Sequence, residues 1–409
     1  MPIRKYSRIK DARNAHRIWQ EVGWIKKDRK EEKAMDILID SGNADVYDLN
    51  GSIECLVISV PGTLLYKKNR ISLSAVTSVT TSRLIRGQGI AGKVLASRIS
   101  SDAAGGAKVA SLGMFEQGYY NRFGFGTGCY ENWVSFDPAN LDIKTCHRIP
   151  VRLEIKDSRE MFKCYSRRML FHGGINLDSQ GHMKSLIYVH KNAFGFGYRN
   201  KKELTHFLWI VTENVHRGPY KVLFMGYRNY DQYLELLSLL KSLNSNLRIV
   251  MLREPRRIQF QDFLKKPFYY NQLTENSNRE NRMHTEAYWQ MRIIDLTACV
   301  RAVEIRDDPL EFNLRIDDPI DSFLLENSKW RGCGGNYTVR LSRKSDIKSG
   351  YTEKLPLLRS GIGAFSRMWL GVLPASSLAV SDNFSAPQGL IDRLDRAFDL
   401  PLPDPDLDY

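Results

Sequence analysis

Arg86, Gly87 and Gly89 stand between a β-branched run, Val76 to Thr81, and an apolar run of helical spacing, Ile90, Val94, Leu95 and Ile99. The chemistry that this order suits is phosphate binding. Glycines let a phosphate come close to backbone N–H groups that a Cβ would keep away. A helix opening just after them adds the positive end of its dipole, and Arg86 adds a full charge. The Gly-x-x-x-x-Gly-Lys-Ser/Thr pattern of nucleotide triphosphate loops does not occur. Gly87, Gly89 and Gly92 do spell Gly-x-Gly-x-x-Gly, a dinucleotide fingerprint that belongs on the first strand of a parallel βαβ unit. The strands before it read as antiparallel, so dinucleotide binding ranks second. A second cluster, Phe115-Glu-Gln-Gly-Tyr-Tyr-Asn-Arg-Phe-Gly-Phe-Gly126, reads by itself as a packed aromatic turn. His16 and His147 are candidate bases on residue type alone. His172-Gly-Gly and Gly181-His182 lack a third ligand at metal spacing and read as loops.

The elements around the glycine turn follow from periodicity. Ala15, Ile18, Trp19 and Val22 give Asp11 to Val22 one apolar helical face. Ala44 to Leu49 alternates as a strand and meets Asn50-Gly51, a strong hairpin signal. Ile53 to Val60 reads as the returning strand, ended by Pro61-Gly62, and Arg70 to Thr81 as the next. Lys108 to Leu112 is a short strand placed to splay away from it. Further on, Phe194 to Tyr198 and His206 to Thr212 form a hairpin pattern. Val222 to Tyr227, a helix over Asp231 to Leu243 and Leu247 to Leu252 give another strand–helix–strand run. The last third shows a strand at Met291-Arg-Ile-Ile-Asp295 and a helix through Val303. Alternation follows at Glu311 to Ile316 and Tyr337 to Leu341, and helical spacing at 366–370, 375–380 and 389–397.

Bulk properties bound the class. With 409 residues and a hydrophobic fraction of 43 %, the chain has material for two to three packed domains. Met1 to Lys10 has no apolar core of a secretory signal, and no run of about 18 apolar residues could span a membrane. Six scattered cysteines without Cys-x-x-Cys point to a reduced, cytoplasmic protein with no zinc site. The net charge of +14 raises nucleic acid as a partner. The basic clusters at 26–33 and 253–266 are interspersed with acids and match no nucleic-acid-binding signature, so they read as solvated surface.

Arg-x-x-Gly-x-Ala, spelled by Arg86, Gly89 and Ala91 directly after a strand, resembles the pyrophosphate signature of the GNAT superfamily of acetyl-CoA-dependent N-acyltransferases. Tyr120-Asn-Arg-Phe-Gly-Phe-Gly126 resembles a second landmark of that superfamily. Over its full length the chain looks like the enhanced intracellular survival (Eis) family. That resemblance rests on both motifs, on Met291-Arg-Ile-Ile-Asp295, on Ser366-Arg-Met-Trp-Leu-Gly371 and on the final Asp-Leu-Asp-Tyr409. It implies an α/β (α+β) fold in three parts. These are a catalytic GNAT domain over 1–150, a second GNAT-like domain without a cofactor site over 151–295, and a sterol-carrier-protein-like domain over 296–409.

The resemblance also assigns roles. Acetyl-CoA would be the co-substrate, with no metal. Its pyrophosphate would lie on Arg86, Gly87, Gln88, Gly89, Ile90, Ala91 and Gly92, and its pantetheine along Val79, Thr80 and Thr81. Phe115 and Glu116 would border it. Tyr120 matches the general acid, since a phenol with pKa about 10 can protonate a departing thiolate and stays protonated at neutral pH. The α-carboxylate of Tyr409 would be the general base, with Asp408 attracting the acceptor ammonium, and Glu21 and Trp24 are candidates for the acceptor wall. The acceptor would be a primary amine of an aminoglycoside, polyamine or lysine, and the assembly a hexamer. Three positions depart from the family pattern: Thr81 for a frequent valine, Arg83 for a frequent proline, and Phe115 for a small polar residue. The competing class is a non-catalytic lipid- or nucleic-acid-binding protein on a GNAT scaffold, and the joint presence of Arg86, Gly89 and Tyr120 argues against it.

Overall fold

A computed structural model of the chain describes residues 2–116, 118–268, 270–274, 277–306 and 308–407. The chain forms two compact units. One comprises Met1–Cys129, Phe171–Ser179 and Ala287–Tyr409, the other Tyr130–Leu170 and Gln180–Glu286. Strand Trp289–Ile293 falls within the stretch expected to belong to a second domain. It sits instead in the sheet of the N-terminal residues.

The large sheet of the first unit orders its strands Ile3–Lys5, Asn43–Leu49, Ser52–Tyr66, Asn69–Thr81, Val109–Gly113, Trp289–Ile293 and Gly126–Thr127, with Ile175–Leu177 added on Ser52–Tyr66. Asn50 and Gly51 both take positive φ, +54° and +87°, as the expected tight hairpin requires. Helices Arg8–Glu21 and Arg29–Ile39 cover one sheet face through Ala15, Ile18, Trp19 and Met35 against Ile53, Leu56 and Ile58. Helix Ile90–Ala104 covers the other through Val94, Leu95 and Ile99 against Cys55, Val57 and Leu112. Helix Arg29–Ile39 begins within the basic cluster at 26–33. Asp28 starts it by accepting from the N–H groups of Lys30 and Glu31.

Pro61-Gly62 does not end its strand, which runs straight through to Tyr66. Pro61 can sit there because its polar edge faces away from strand Asn69–Thr81: its carbonyl accepts from Asp178 N–H, so the missing N–H removes no bond of the main ladder. Gly62 admits the crossing strand, since a Cβ would come within 2.5 Å of the Asn176 carbonyl.

Strand Asn69–Thr81 pairs antiparallel with Ser52–Tyr66 and parallel with Val109–Gly113. The parallel pairing stops at Val76↔Leu112. Beyond it, Ser78 and Val79 bulge out of the antiparallel ladder, and Ser78 takes a left-handed φ of +54°. The two parallel strands thus part as a wedge over Thr77 to Thr81.

The rest of the first unit is a five-stranded sheet ordered Asp346–Ser349, Gly335–Leu341, Leu310–Asp317, Leu357–Gly361 and Phe384–Ser385. Helices Ile362–Trp369 and Gln388–Ala397 bury Phe365, Trp369 and Leu394 in the core they share with it. Residues 404–407 are tied down. Asp404 N–H donates to His172 O, Ile175 N–H to the Pro405 carbonyl, and Tyr288 OH to the Leu407 carbonyl at 2.8 Å.

The second unit holds a seven-stranded sheet ordered Arg282–Glu286, Glu131–Phe136, Val250–Arg253, Tyr220–Gly226, Glu203–Val211, Ala193–Asn200 and Val151–Leu153. It has one parallel pair, Tyr220–Gly226 with Val250–Arg253, bridged by helix Tyr230–Ser242. Asn229 caps that helix by accepting from Gln232 N–H. The loop expected at Gly181-His182 is instead the first turn of helix Gly181–Val189. Among the described residues no helix is long and apolar enough to cross a membrane.

His172 anchors the start of the tail's path. Its Nδ1 accepts from Lys67 N–H at 3.0 Å, which leaves Nε2–H to donate to the Leu370 carbonyl at 2.9 Å. Burial, more than nearby Lys67, pushes its pKa below the ordinary value, against the pull of the Leu370 carbonyl. The neutral ring is therefore favoured by folding. Its contribution to stability is complete above the unfolded value of about 6.5 and is lost as pH falls below it. Denaturant melts from pH 7.5 down to 5 should show wild-type stability declining more steeply below about 6.5 than that of His172→Gln; equal slopes would remove His172 from the acid sensitivity.

Candidate active site

The wedge opens into a cleft of about 650 Å³. Its walls are Val79, Thr80 and Thr81 from the parted strand, Arg86, Gly87, Gly89, Ile90 and Ala91 from the turn and first helical residues, and Phe115, Glu116, Tyr119, Tyr120 and Arg122 from the aromatic cluster. Val22 and Trp24 close it from the end of the first helix, and Ile85 lies at its base. Two sequence motifs about 30 residues apart thus meet in one cavity.

The turn is shaped for an anion. Gly87 and Gly89 take left-handed φ angles of +82° and +73°, and a Cβ on either would meet nothing within 4 Å. Helix Ile90–Ala104 starts at Gly89 with no side chain capping it. Its free first-turn N–H groups and its dipole therefore suit a phosphate at this end. Gly92 serves a different purpose: a Cβ there would come within 2.7 Å of the Phe123 ring, so this glycine lets the helix pack on the aromatic turn. Neither Gln88 nor Gly92 is on the cleft wall.

Because pairing to Val109–Gly113 ends at Val76, the edge of Val79 to Thr81 that faces the wedge carries backbone groups with no sheet partner. An extended amide-bearing chain can add to such an edge as a further strand would. The pattern of residue types predicted the strand but not the bulge at Ser78 that turns it; a non-glycine residue in the left-handed region leaves little trace in sequence.

Tyr120 begins the short turn Tyr120–Phe123 and is 7 % exposed. Among the described residues its hydroxyl has no hydrogen-bond partner, and the residue borders the cleft. Burial, with the neighbouring Tyr119 adding to it, pushes its phenol well above the ordinary tyrosine value. The group is a proton donor at neutral pH and no base. Tyr119 meets it edge to face at 4.9 Å and carries the Arg122 guanidinium 4.7 Å above its ring. Cys55, which accepts from Thr81 Oγ1 at 3.7 Å, is no nucleophile, because burial pushes its thiol up to about 12.

The other candidates divide. Trp24, 39 % exposed, lies between Trp19, which it meets edge to face, and Phe115, to which it is tilted, with ring centres 5.6 Å from each, and Phe115 itself is 84 % exposed. These rings form an apolar wall at the mouth of the cleft. Glu21 is spent on structure. Its carboxylate receives Arg17 at 2.5 Å and the Arg83 N–H at 3.2 Å; against burial, these hold its pKa below the ordinary range. His16 pairs with Asp36 at 2.9 Å, and neither it nor His147 borders the cleft. Asp408 and Tyr409 lie outside the described residues. Leu407, the last described one, is bonded to Tyr288, whose own carbonyl accepts from Met114 N–H beside Phe115. Val22, Ile85 and Arg122 also join the wall, as does Tyr119, whose place beside Tyr120 reads in sequence as packing; for Tyr119 and Arg122 the signal in sequence is membership of the aromatic cluster.

No protein-family model and no curated protein matches the sequence. Solved structures do match along nearly the whole chain. A probable N-acyltransferase from Enterococcus faecalis aligns at TM-score 0.79 and 13 % identity, covering 98 % of this chain and 97 % of its own. A GCN5-related N-acetyltransferase from Anabaena variabilis aligns at TM-score 0.77 and 12 % identity, covering 98 % of each chain. Eis1 from Mycobacterium abscessus aligns at TM-score 0.74 and 15 % identity, covering 100 % of both. The chain has the fold of these solved structures, a GCN5-related N-acetyltransferase and Eis1 among them.

Proposed function

We propose that the protein is an acetyl-CoA-dependent N-acetyltransferase that moves the acetyl group directly to a primary amine. The observation that carries this reading is the cleft itself, where a parted β edge, an uncapped glycine turn and a tyrosine whose hydroxyl has no partner among the described residues border one space. Acetyl-CoA fits the donor set and would supply the activated acetyl thioester. Arg86, Gly87, Gly89, Ile90 and Ala91 would take the pyrophosphate, and the backbone of Val79 to Thr81 the pantetheine amides. A backbone N–H near Thr81 would stabilise the oxygen that gains charge as the amine attacks. As the new C–N bond forms and the C–S bond breaks, Tyr120 gives its proton to the sulfur and later regains one from solvent.

The amine's proton needs a second group. The α-carboxylate of Tyr409 is proposed for it, with Asp408 drawing in the ammonium form. The ordered path of 403–407, which ends on a residue bonded next to the cleft wall, supports that assignment. A carboxylate near pKa 3.5 is a poor base for an amine near 10, so the acceptor must arrive deprotonated or the carboxylate must be desolvated. Aminoglycosides, polyamines and lysine side chains are the acceptor classes, the rings of Trp24 and Phe115 giving the cleft mouth an apolar side. A hexameric, cytoplasmic protein with a sterol-carrier-like last domain completes the reading.

The test is thiol release from acetyl-CoA with a panel of these amines. Tyr120→Phe should lower kcat by about 10²- to 10⁴-fold with acetyl-CoA binding nearly unchanged by calorimetry; undiminished kcat would end the acid assignment. Gly89→Val puts a β-branched side chain at a left-handed φ, at a cost of about 1–3 kcal/mol. It should raise the KM for acetyl-CoA about tenfold or more, whereas an unchanged KM would place the pyrophosphate elsewhere. Removing Tyr409 alone should abolish amine-dependent release; retained turnover would take the terminal carboxylate out of the mechanism.

A further inference from the structure

The turn that carries Tyr120 is held from below by a strand that arrives some 170 residues later. Strands Val109–Gly113 and Gly126–Thr127, which flank the turn, do not pair with each other; Trp289–Ile293 lies between them and pairs with both. Two polar side chains of this inserted strand are fully buried. Gln290 Nε2 donates to Asn121 Oδ1 at 3.1 Å and to Thr127 Oγ1 at 3.0 Å. Arg292 donates through Nη1 to the Phe123 carbonyl at the end of the turn. Through Nη2 it donates to Asp318 Oδ2 at 2.6 Å, with both side chains 0 % exposed. Asp318 is fixed in turn by the N–H groups of Cys333 at 2.7 Å and Ile320 at 3.3 Å. The Arg292 guanidinium lies over the Trp330 ring at 5.2 Å.

Such a pair is a costly way to stabilise a fold. Removing two charges from water costs several kcal/mol per ion, and well-packed apolar residues of similar volume often do as well or better. A planar fork does what apolar residues cannot: it ties one backbone carbonyl to one carboxylate in a fixed geometry. Here the carbonyl closes the four-residue turn whose first residue is Tyr120. Gly124 follows the turn at a left-handed φ of +77°; a Cβ there would meet the Ile362 side chain first, at 2.5 Å, and then Arg292 Nη1 at 3.0 Å and Asp318 Oδ1 at 3.2 Å. The cofactor-side residues 79–91 make none of these bonds.

We infer that Arg292, held by Asp318, is the positioning residue for Tyr120, and that it sets where the phenol stands in the cleft while leaving acetyl-CoA binding to the glycine turn. The inference rests on the acid role proposed for Tyr120. It differs from an ordinary structural role in what it predicts for kinetics. Arg292→Met alone strands the Asp318 charge and should lower Tm. The double variant Arg292→Met/Asp318→Leu should recover Tm but keep kcat down by about tenfold to hundredfold, with the KM for acetyl-CoA near wild type. Tyr120→Phe should then cost much less in that background than in the wild type, because the phenol it removes is already out of place.

A double variant with wild-type Tm and wild-type kcat would overturn the inference. So would an equal loss on Tyr120→Phe in both backgrounds. If the double variant does not fold, Arg292→Lys decides. It keeps the charge opposite Asp318 but cannot reach both partners, so kcat should fall with little change in Tm; full activity would overturn the inference. A Tyr120→Phe enzyme as active as wild type would overturn the acid assignment and the inference together, an outcome distinct from the others because it needs no change at Arg292.

Discussion

The structure depends on a sheet that fails to stay closed. Strands Asn69–Thr81 and Val109–Gly113 start side by side and part after Val76, and the opening is bordered by Val79 to Thr81, by the glycine turn and by Tyr120. A parallel pair followed by a helix and flanked by glycines also describes a dinucleotide site, where the sheet continues and the ligand lies across its carboxyl ends. The bulge at Ser78 separates the two cases. It turns Val79 to Thr81 away from their neighbour, so the edge that a further strand would have used stays available inside the cleft. A left-handed φ at a serine is a strained choice, of the order of 1 kcal/mol, and it is retained at the point where the wedge begins.

Opening a sheet in this way creates a problem at its far side, because the strand past the wedge needs a neighbour. Trp289–Ile293 supplies it, pairing with Val109–Gly113 through Trp289↔Gly113 to Ile293↔Val109. The helix Ile362–Trp369 then packs on the same region, close enough that residue 126 must be glycine to clear the Gly363 carbonyl. Ser366 accepts from Ile293 N–H at 2.9 Å. The N-terminal cleft is thus finished by residues from the last third of the chain, and the tail 403–407 is bonded into the same unit. Among the described residues, the first 129 contain the groups that border the cleft but lack Gln290 and Arg292, which bond to the Tyr120–Phe123 turn and the strand after it.

Much of this was legible in sequence, for identifiable reasons. Elements whose apolar spacing and burial agree were read within a few residues, as with Asn43–Leu49, Tyr230–Ser242, Leu310–Asp317 and Gln388–Ala397. Most of the cleft wall was also legible, because Arg86 to Ala91 and the cluster after Phe115 are dense in residues with special backbone or chemical use. What sequence concealed depends on distant partners. Pro61-Gly62 looks like a stop until the crossing strand Ile175–Leu177 explains it. Glu21 looks available until Arg17 and Arg83 claim it. Gly92 looks like part of a phosphate loop until the Phe123 ring appears against it. Helix Arg29–Ile39 is masked by charge, since its apolar residues Ala34, Met35, Leu38 and Ile39 follow a run of five charged ones.

The contrast between two helix starts shows how little separates a cofactor site from a plain connection. In the second unit a parallel pair, Tyr220–Gly226 and Val250–Arg253, is again bridged by a helix, and its pairing also spans only a short register. There the helix begins at Asn229, whose side chain takes the Gln232 N–H at 3.0 Å and so fills the place an anion would take. In the first unit the corresponding position is Gly89, which has no side chain to offer and a φ of +73° that most residues avoid. One helix satisfies its own first-turn donors, at a gain of about 1 kcal/mol for a good cap. The other forgoes that stability and has no side chain on its first-turn donors. Between these two helix starts the difference in capping lies in a single residue at the head of the helix.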